Sequence, residues 1–403
     1  MRVGDFIYQR EYSLRQDTPL IHFQHEQKGA CLRASEVKPQ LDRFIHAFLC
    51  GQGADVPKTW YVARSKIDSV KALAYKLSIS CDVARTKTTP PHKLYFGNMG
   101  ENAQIKKQQT YSDVRIRFIC FATGKVCLKN ERKLSLLELI DYVLPAFFAL
   151  TCFGTRATKG FGSFSVKNGR KLDEEYLRQF APVYYTIAYP TAPSGNEVLN
   201  DIWVIWGMMK SGFNLVSERA PDDYYKGRIF RYFSEQEIGS EKAFIKQHVL
   251  TLGTDSNKKS EEYRVYKRFV FSRAMLGLAQ QYSFRSGPKT TRQGKVTVSA
   301  ETDNPVVRFA SPVRFVPNGN MLLILPVKIP QHMYNAKFRL NSQVISTPSQ
   351  DEFDLIEYLD WFCGEFNARK EIENFVNSNV RPTIQKQLRI ERHPQLKGGD
   401  ANA

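Results

Sequence analysis

Apolar residues along this 403-residue chain recur at two periods, and the switches between them mark out the elements. Val37, Leu41, Phe44, Ile45 and Phe48 form one stripe of period 3.6, which predicts a helix with Ser35 as its N-cap and Pro39 in its first turn. The run KLSLLELIDYVLPAFFAL predicts a second helix, opened by Ser135 and Glu138 at capping-box spacing and kinked at Pro145. Period two governs VRIRFICF at 114–121, where Val114, Ile116 and Phe118 alternate with Arg115 and Arg117: a half-buried strand with a basic outer face. TPLIHFQH, with Leu20, Ile21 and Phe23 after Pro19, predicts the first strand; ALAYKLSIS at 72–80 and SFSV supply two more. The proline-broken ARTKTTPPHKLYFGNMG reads as a loop. Its Arg85, Lys87, His92, Lys93, Tyr95 and Phe96 either wrap single-stranded nucleic acid or form an ordinary solvated connection.

Residues 15–170 therefore run strand, helix, strand, strand, helix, loop, strand, the split βαβ order of a ferredoxin-like or RRM-like domain. Sheets of that kind bind single-stranded RNA on one face, but the aromatic RNP signature is missing. A second unit follows the charged, helix-like KNGRKLDEEYLRQFAP. It contains the strand PVYYTIAYP, a core helix in NEVLNDIWVIWGMMKSGFNL, helix signals at 240–252, and two strands joined by Asn318-Gly319, a tight-turn dipeptide. DEFDLIEYLDWFCGEF is an amphipathic helix, and the tail from Arg381 is polar and basic. The expected fold is α+β, with two tandem ferredoxin-like (RRM-like) domains at 1–178 and 179–403, the second carrying helical and basic insertions.

Composition narrows the function. With 58 Lys and Arg against 40 Asp and Glu the net charge is +18, spread along the chain, so a polyanion is the expected partner. A basic block from Arg264 to Lys295, including Lys267, Arg268, Arg273, Arg285, Lys289 and Arg292, adds to that track. No apolar run approaches the roughly 20 residues of a membrane span, and the charged N-terminus is unlike a signal peptide. The seven cysteines form no CxxC pair, which fits reduced thiols in the cytoplasm and gives no metal site. No cofactor is expected.

The candidate chemistry centres on FGTRATKGFGSFSV, residues 153–166, between the second helix and the last strand. Gly154, Gly160 and Gly162 permit positive φ and close approach of another molecule. Thr155, Arg156, Thr158 and Lys159 place hydroxyls and charge among them, a set suited to a phosphate-rich ligand. The alternative is a plain helix-to-strand connection. It is neither a P-loop, since Lys159 precedes its glycine, nor a dinucleotide fingerprint, since the helix comes first. Arg33, Lys38 and Arg43 lie at the first helix's entrance, either facing an anion or forming a solvated charged face.

Three stretches together resemble the RAMP superfamily of CRISPR effector proteins, and within it the subunit-one RAMP proteins of type III-B (Cmr) complexes. These are the loop GTRATKGFGSF; LRASEVKPQLDRF, with Arg33, Lys38 and Arg43 and with Pro39 where the family has Gly; and RFASPVRF, with Arg308, Ser311 and Pro312. RAMLGLAQQY, with Arg273, is similar to the segment preceding that strand in the family. The resemblance implies a non-catalytic subunit of a multi-subunit ribonucleoprotein, binding guide RNA near its 3′ end or the paired target RNA. One rival is a metal-independent guide-processing endoribonuclease using His22 or His25 as base, although residues three apart on a strand point to opposite faces. Another is a stand-alone single-strand-binding protein.

Overall fold

The computed structural model describes residues 8–22, 24, 31–62, 72–90, 92, 94, 107–214, 224–249, 266–279, 281–285, 293–301, 304, 306, 308–368 and 388–395. The readings on Phe23, His25, Lys93, Tyr95, Phe96, Arg264, Lys289 and Arg292 lie outside these residues, as does the tail from Arg381 apart from 388–395, where Glu391–His393 is a paired strand and not a frayed end. The chain is a mixed α/β structure of two compact units. The first comprises 1–199, 315–325 and 391–403; the second comprises 200–314 and 326–390. The expected cut at 178/179 is a single point in sequence, whereas these units interleave along the chain.

The first unit begins with β1 (Gln9–Gln16), α1 (Ala34–Gly51), β2 (Tyr75–Thr89), β3 (Gln108–Cys120), α2 (Leu136–Ala149) and β4 (Phe164–Val166). Its sheet runs β2-β3-β1-β4, every neighbouring pair antiparallel. The first strand lies upstream of the expected TPLIHFQH. In that segment Leu20 makes only an isolated bridge to Gln109. The real strand, QREYSLRQ, carries only Tyr12 and Leu14 as apolar residues, too few to announce period two. β2 is also longer than expected: the β-branched TKTT continues it past two register shifts, and it stops at Pro90, which has no N–H to donate.

α1 starts one residue after Arg33, not Ser35, and no side chain caps it. α2 starts as expected: Ser135 Oγ accepts from Glu138 N at 3.4 Å, and Glu138 Oε2 accepts from Ser135 N at 2.8 Å. One face of the sheet and the apolar stripes of both helices share a core that includes Leu14, Ile116, Phe118, Leu41, Ile45, Val143 and Phe147. Each fully buried Leu or Phe contributes about 1.5–3 kcal/mol relative to exposure.

A second antiparallel arrangement in this unit is built on β5 (Tyr184–Ala188), which pairs on one side with β7 (Met321–Pro326) and on the other with β8 (Glu391–His393). β6 (Val313–Asn318) lies outside β7. The β6–β7 turn is the expected Asn318-Gly319, with Gly319 at φ 62°. In the second unit, the four strands Gln281–Arg285, Gln293–Ala300, Lys337–Leu340 and Gln343–Ser346 form an antiparallel sheet in that order. Ile238–Ser240 pairs in parallel with Arg268–Val270. The amphipathic helix Leu355–Ala368 buries Tyr358, whose hydroxyl donates to the Met209 carbonyl at 2.7 Å.

Candidate nucleic-acid interface

The glycine loop is moulded against the chain just beyond β1. A bridge between Cys152 and Ser163 closes its base, and Phe153 N donates to Gly162 O at 3.0 Å. Gly154, Gly160 and Gly162 have φ of 77°, 82° and 67°. A Cβ on Gly154 would stand 2.7 Å from Ile21 O and 2.8 Å from Leu20 Cδ1; one on Gly162 would overlap the Phe153 carbonyl oxygen. The close approach that requires glycine at these two positions therefore comes from Leu20, Ile21 and Phe153 of the same chain.

The same neighbours take up most of the loop's backbone. Gly162 N donates to Pro19 O and Thr155 N to Ile21 O, both at 2.9 Å, and the Thr18 hydroxyl donates to Gly160 O while accepting from Ser163 N. Gly154 N donates to Glu36 Oε1 at 2.7 Å, which ties the loop to the first turn of α1. A carboxylate there also complements the positive end of the helix.

The loop's cations are placed differently from one another. Lys159 is only 6% exposed; it bridges Phe315 in parallel, and its ammonium lies 5.5 Å from the Phe315 ring centroid. Arg156 is half-exposed in the turn Thr155–Thr158, at φ 64°, a conformation few non-glycine residues adopt. Thr155 and Thr158 are half-exposed beside it, and Thr155 Oγ1 is buried with no hydrogen-bond partner among the described residues.

At the α1 entrance, Arg33 is exposed at the helix's first turn. Lys38 is a strut: its ammonium donates to Asp42 Oδ2 at 2.8 Å and Leu73 O at 2.9 Å and lies 4.0 Å above the Tyr75 ring. Arg43 is exposed and makes no ion pair among the described residues. It follows Glu36 by about two helical turns and so shares the face that meets the loop. Beside the loop, Asp17 accepts from Arg15 Nε at 2.8 Å and from Gly319 N at 3.2 Å. Burial raises its carboxyl pKa despite the neighbouring Arg15 charge.

Arg273 and Arg308 belong to the second unit. Arg273, expected to face RNA, is 8% exposed and ion-paired with Glu241, which is fully buried and also accepts from Ser272 N and Oγ. The fold spends this charge on its own carboxylate. Beside the pair, Lys210 donates to the carbonyls of Leu276 and Gly277; burial first, then the Arg273 charge, bring its pKa down to about 7. Arg308 is exposed, next to Phe309, whose carbonyl accepts from Leu278 N at 3.0 Å.

His22 is 2% exposed, and its Nδ1 accepts from Gln24 N at 2.9 Å. Among the described residues no cluster of three or more His, Cys, Asp or Glu is disposed to hold a metal ion, and no helix is long and apolar enough to cross a membrane. None of the seven cysteines is in a disulfide; Cys120, Cys152 and Cys363 are buried, but Cys50 and Cys127 are exposed. The sequence reading missed an exposed aromatic pair, Tyr8 and Phe121. The alternation Arg115, Arg117, Ile119, Phe121 already placed Phe121 on the outer side of β3.

No curated protein matches the chain. Two family models do: the Cmr1 N-terminal domain over residues 7–213 and the Cmr1 C-terminal domain over residues 224–389. The two follow one another over nearly the whole length, and the chain belongs to the Cmr1 family, subunits of the multi-subunit type III-B (Cmr) CRISPR complex.

Proposed function

We propose that this Cmr1 protein is a non-catalytic, cytoplasmic RNA-binding subunit that holds the backbone of guide RNA, near its 3′ region, or of the paired target. The observation that carries the reading is the Glu36–Gly154 hydrogen bond, which joins the α1 entrance to the glycine loop. Through it Arg33, Arg43 and Arg156 form one set of exposed or half-exposed guanidiniums on a preformed frame. Cations fixed in this way neutralise phosphates without reading bases. In this scheme half-exposed Thr158 offers a hydroxyl beside Arg156, while Thr155, whose hydroxyl is buried, joins Gly160, Gly162, Lys38 and Lys159 in holding the frame. Arg308 supplies a separate contact from the second unit.

The β2-β3-β1-β4 order, with α1 and α2 as the crossovers, supports a ferredoxin-like first domain. The buried position of His22 speaks against that residue as the base of the endoribonuclease alternative, because a general base must reach the proton it removes.

The test is a salt series of single-stranded RNA binding with wild type, Arg43→Ala and Arg156→Ala. Removing one phosphate-binding cation lowers the log–log salt slope by about 0.7. Unchanged slopes for both variants would overturn the assignment of this interface, and specific cleavage of guide-repeat RNA that is lost in His22→Ala would overturn the non-catalytic reading.

A further inference from the structure

The outer face of the first unit's four-stranded sheet takes no part in the interface above. Its outward positions include Gln9, Glu11, Ser13 and Arg15 on β1, Arg115 and Arg117 on β3, and Lys76, Ser78 and Ser80 on β2, all exposed, with half-exposed Ile119 between Gln9 and Lys76; Asp113, before Val114 on β3, is also exposed. Register places Arg117 between Glu11 and Ser78, and Arg115 between Ser13 and Ser80. Glu11 lies 3.8 Å from Arg115, and Arg15 is held by Asp17. Arg117 instead donates to the neutral Gln9 Oε1 at 2.5 Å, and Lys76 has no carboxylate partner among the described residues, so the face keeps a positive excess. The serines are short, so a ligand can lie close to the backbone.

Phe121, one residue past β3 and in the outward parity of Arg115 and Arg117, ends this face, and Tyr8, which precedes β1 in the inward parity of Tyr12 and Leu14, packs against it. Tyr8 is 47% exposed and Phe121 is 66% exposed; their centroids are 5.3 Å apart, tilted by 36°. They meet where β1 begins and β3 ends, and Cys120 N donates to Tyr8 O at 2.8 Å. The glycine loop meets the other end of β1, where Asp17 N donates to Ser163 O. The eight residues of β1 separate the two ends by about 26 Å.

We infer that this face is a second nucleic-acid contact, on which single-stranded RNA stacks a base against the Phe121–Tyr8 pair and sets its phosphates on Arg117, Lys76 and Arg115. This rests on the RNA-binding role proposed above and assigns it a surface apart from the glycine loop. The positive excess selects a polyanion. An exposed ring pair selects unpaired bases, because every base offers a π-face only when it is out of a duplex; such stacking is tolerant of sequence.

The test uses the full chain and a uridine-rich single-stranded RNA carrying one 2-aminopurine, with the same strand annealed to its complement for comparison. Binding by wild type should quench the fluorophore in the single strand. Phe121→Ala should abolish the quench and weaken binding about 5- to 140-fold, the range for losing one stacked base. Phe121→Trp should restore both, and Arg117→Ala should lower the salt slope by about 0.7.

Unaltered single-strand affinity in Phe121→Ala would overturn the inference, as would an equal loss on the duplex. So would intact RNA binding together with release of Phe121→Ala from the effector complex, which would make the face a protein contact. If Arg43→Ala and Arg156→Ala weaken binding while Phe121→Ala does not, the role proposed above stands and the sheet platform falls. A wild-type chain that binds no RNA removes both.

Discussion

Replacing Gly162 by alanine asks whether the glycine loop is shaped by its own chain or by a ligand. An alanine at φ 67° costs about 1–2 kcal/mol in backbone strain alone. Its Cβ would also overlap the Phe153 carbonyl oxygen and come within 2.8 Å of Leu20 Cδ1, so the two chain segments must part. That parting breaks or stretches the bonds from Phe153 N to Gly162 O and from Gly162 N to Pro19 O, each contributing a net of about 0.5–1.5 kcal/mol. The sum is about 2–5 kcal/mol, a large share of a domain's stability. With a urea m-value of about 3 kcal/mol per molar, the midpoint should fall by about 0.7–1.7 M.

Gly51 serves as the control. It closes α1, and a Cβ there meets nothing within 4 Å, so Gly51→Ala should be neutral or gain about 0.5–1 kcal/mol. A Gly162→Ala protein that melts with wild type while losing RNA affinity would refute the reasoning, because the glycine would then serve the ligand and not Phe153 and Leu20.

Two further outcomes follow from the titrating groups. The hydrogen bond from Ser135 N, chiefly, holds the Glu138 pKa below its usual 4.5, so its stabilisation is present above that pH and is lost as pH falls through the folded value. Ser135→Ala should cost about 1 kcal/mol at neutral pH, and the difference in urea midpoint between wild type and Glu138→Gln should close in acid. Lys210 has the depressed pKa of a buried amine, about 7 against 10.5, so the folded chain loses its proton first and stability falls as pH drops from 10.5 towards 7. Lys210→Met should therefore exceed wild type in thermal midpoint at pH 7 by more than at pH 10, as checked by calorimetry; a difference of the same size at both pH values would contradict this.

Legibility in the sequence followed the range of the interactions. The start of α2 is readable because Ser135 and Glu138 are three residues apart and satisfy each other locally. β1 is not, because its outward positions are Gln9, Glu11, Ser13 and Arg15, and only Tyr12 and Leu14 mark the inner side. The loop's glycines correctly announce an unusual backbone, but the group that crowds them arrives from Leu20 and Ile21, far upstream. Charge was the least reliable guide. Lys159 and Arg273 read as outward cations, yet one lies against Phe315 and the other on Glu241, partners that no local pattern names.

The pairing of β5 has a practical consequence for anyone dissecting the chain. That strand is flanked by residues from beyond position 320 on one side and beyond 390 on the other. A fragment ending near residue 213, where the first family match stops, would bare both of its edges and deprive Lys159 of the ring it rests on. The amino-terminal half thus becomes whole only when the last part of the polypeptide has been made.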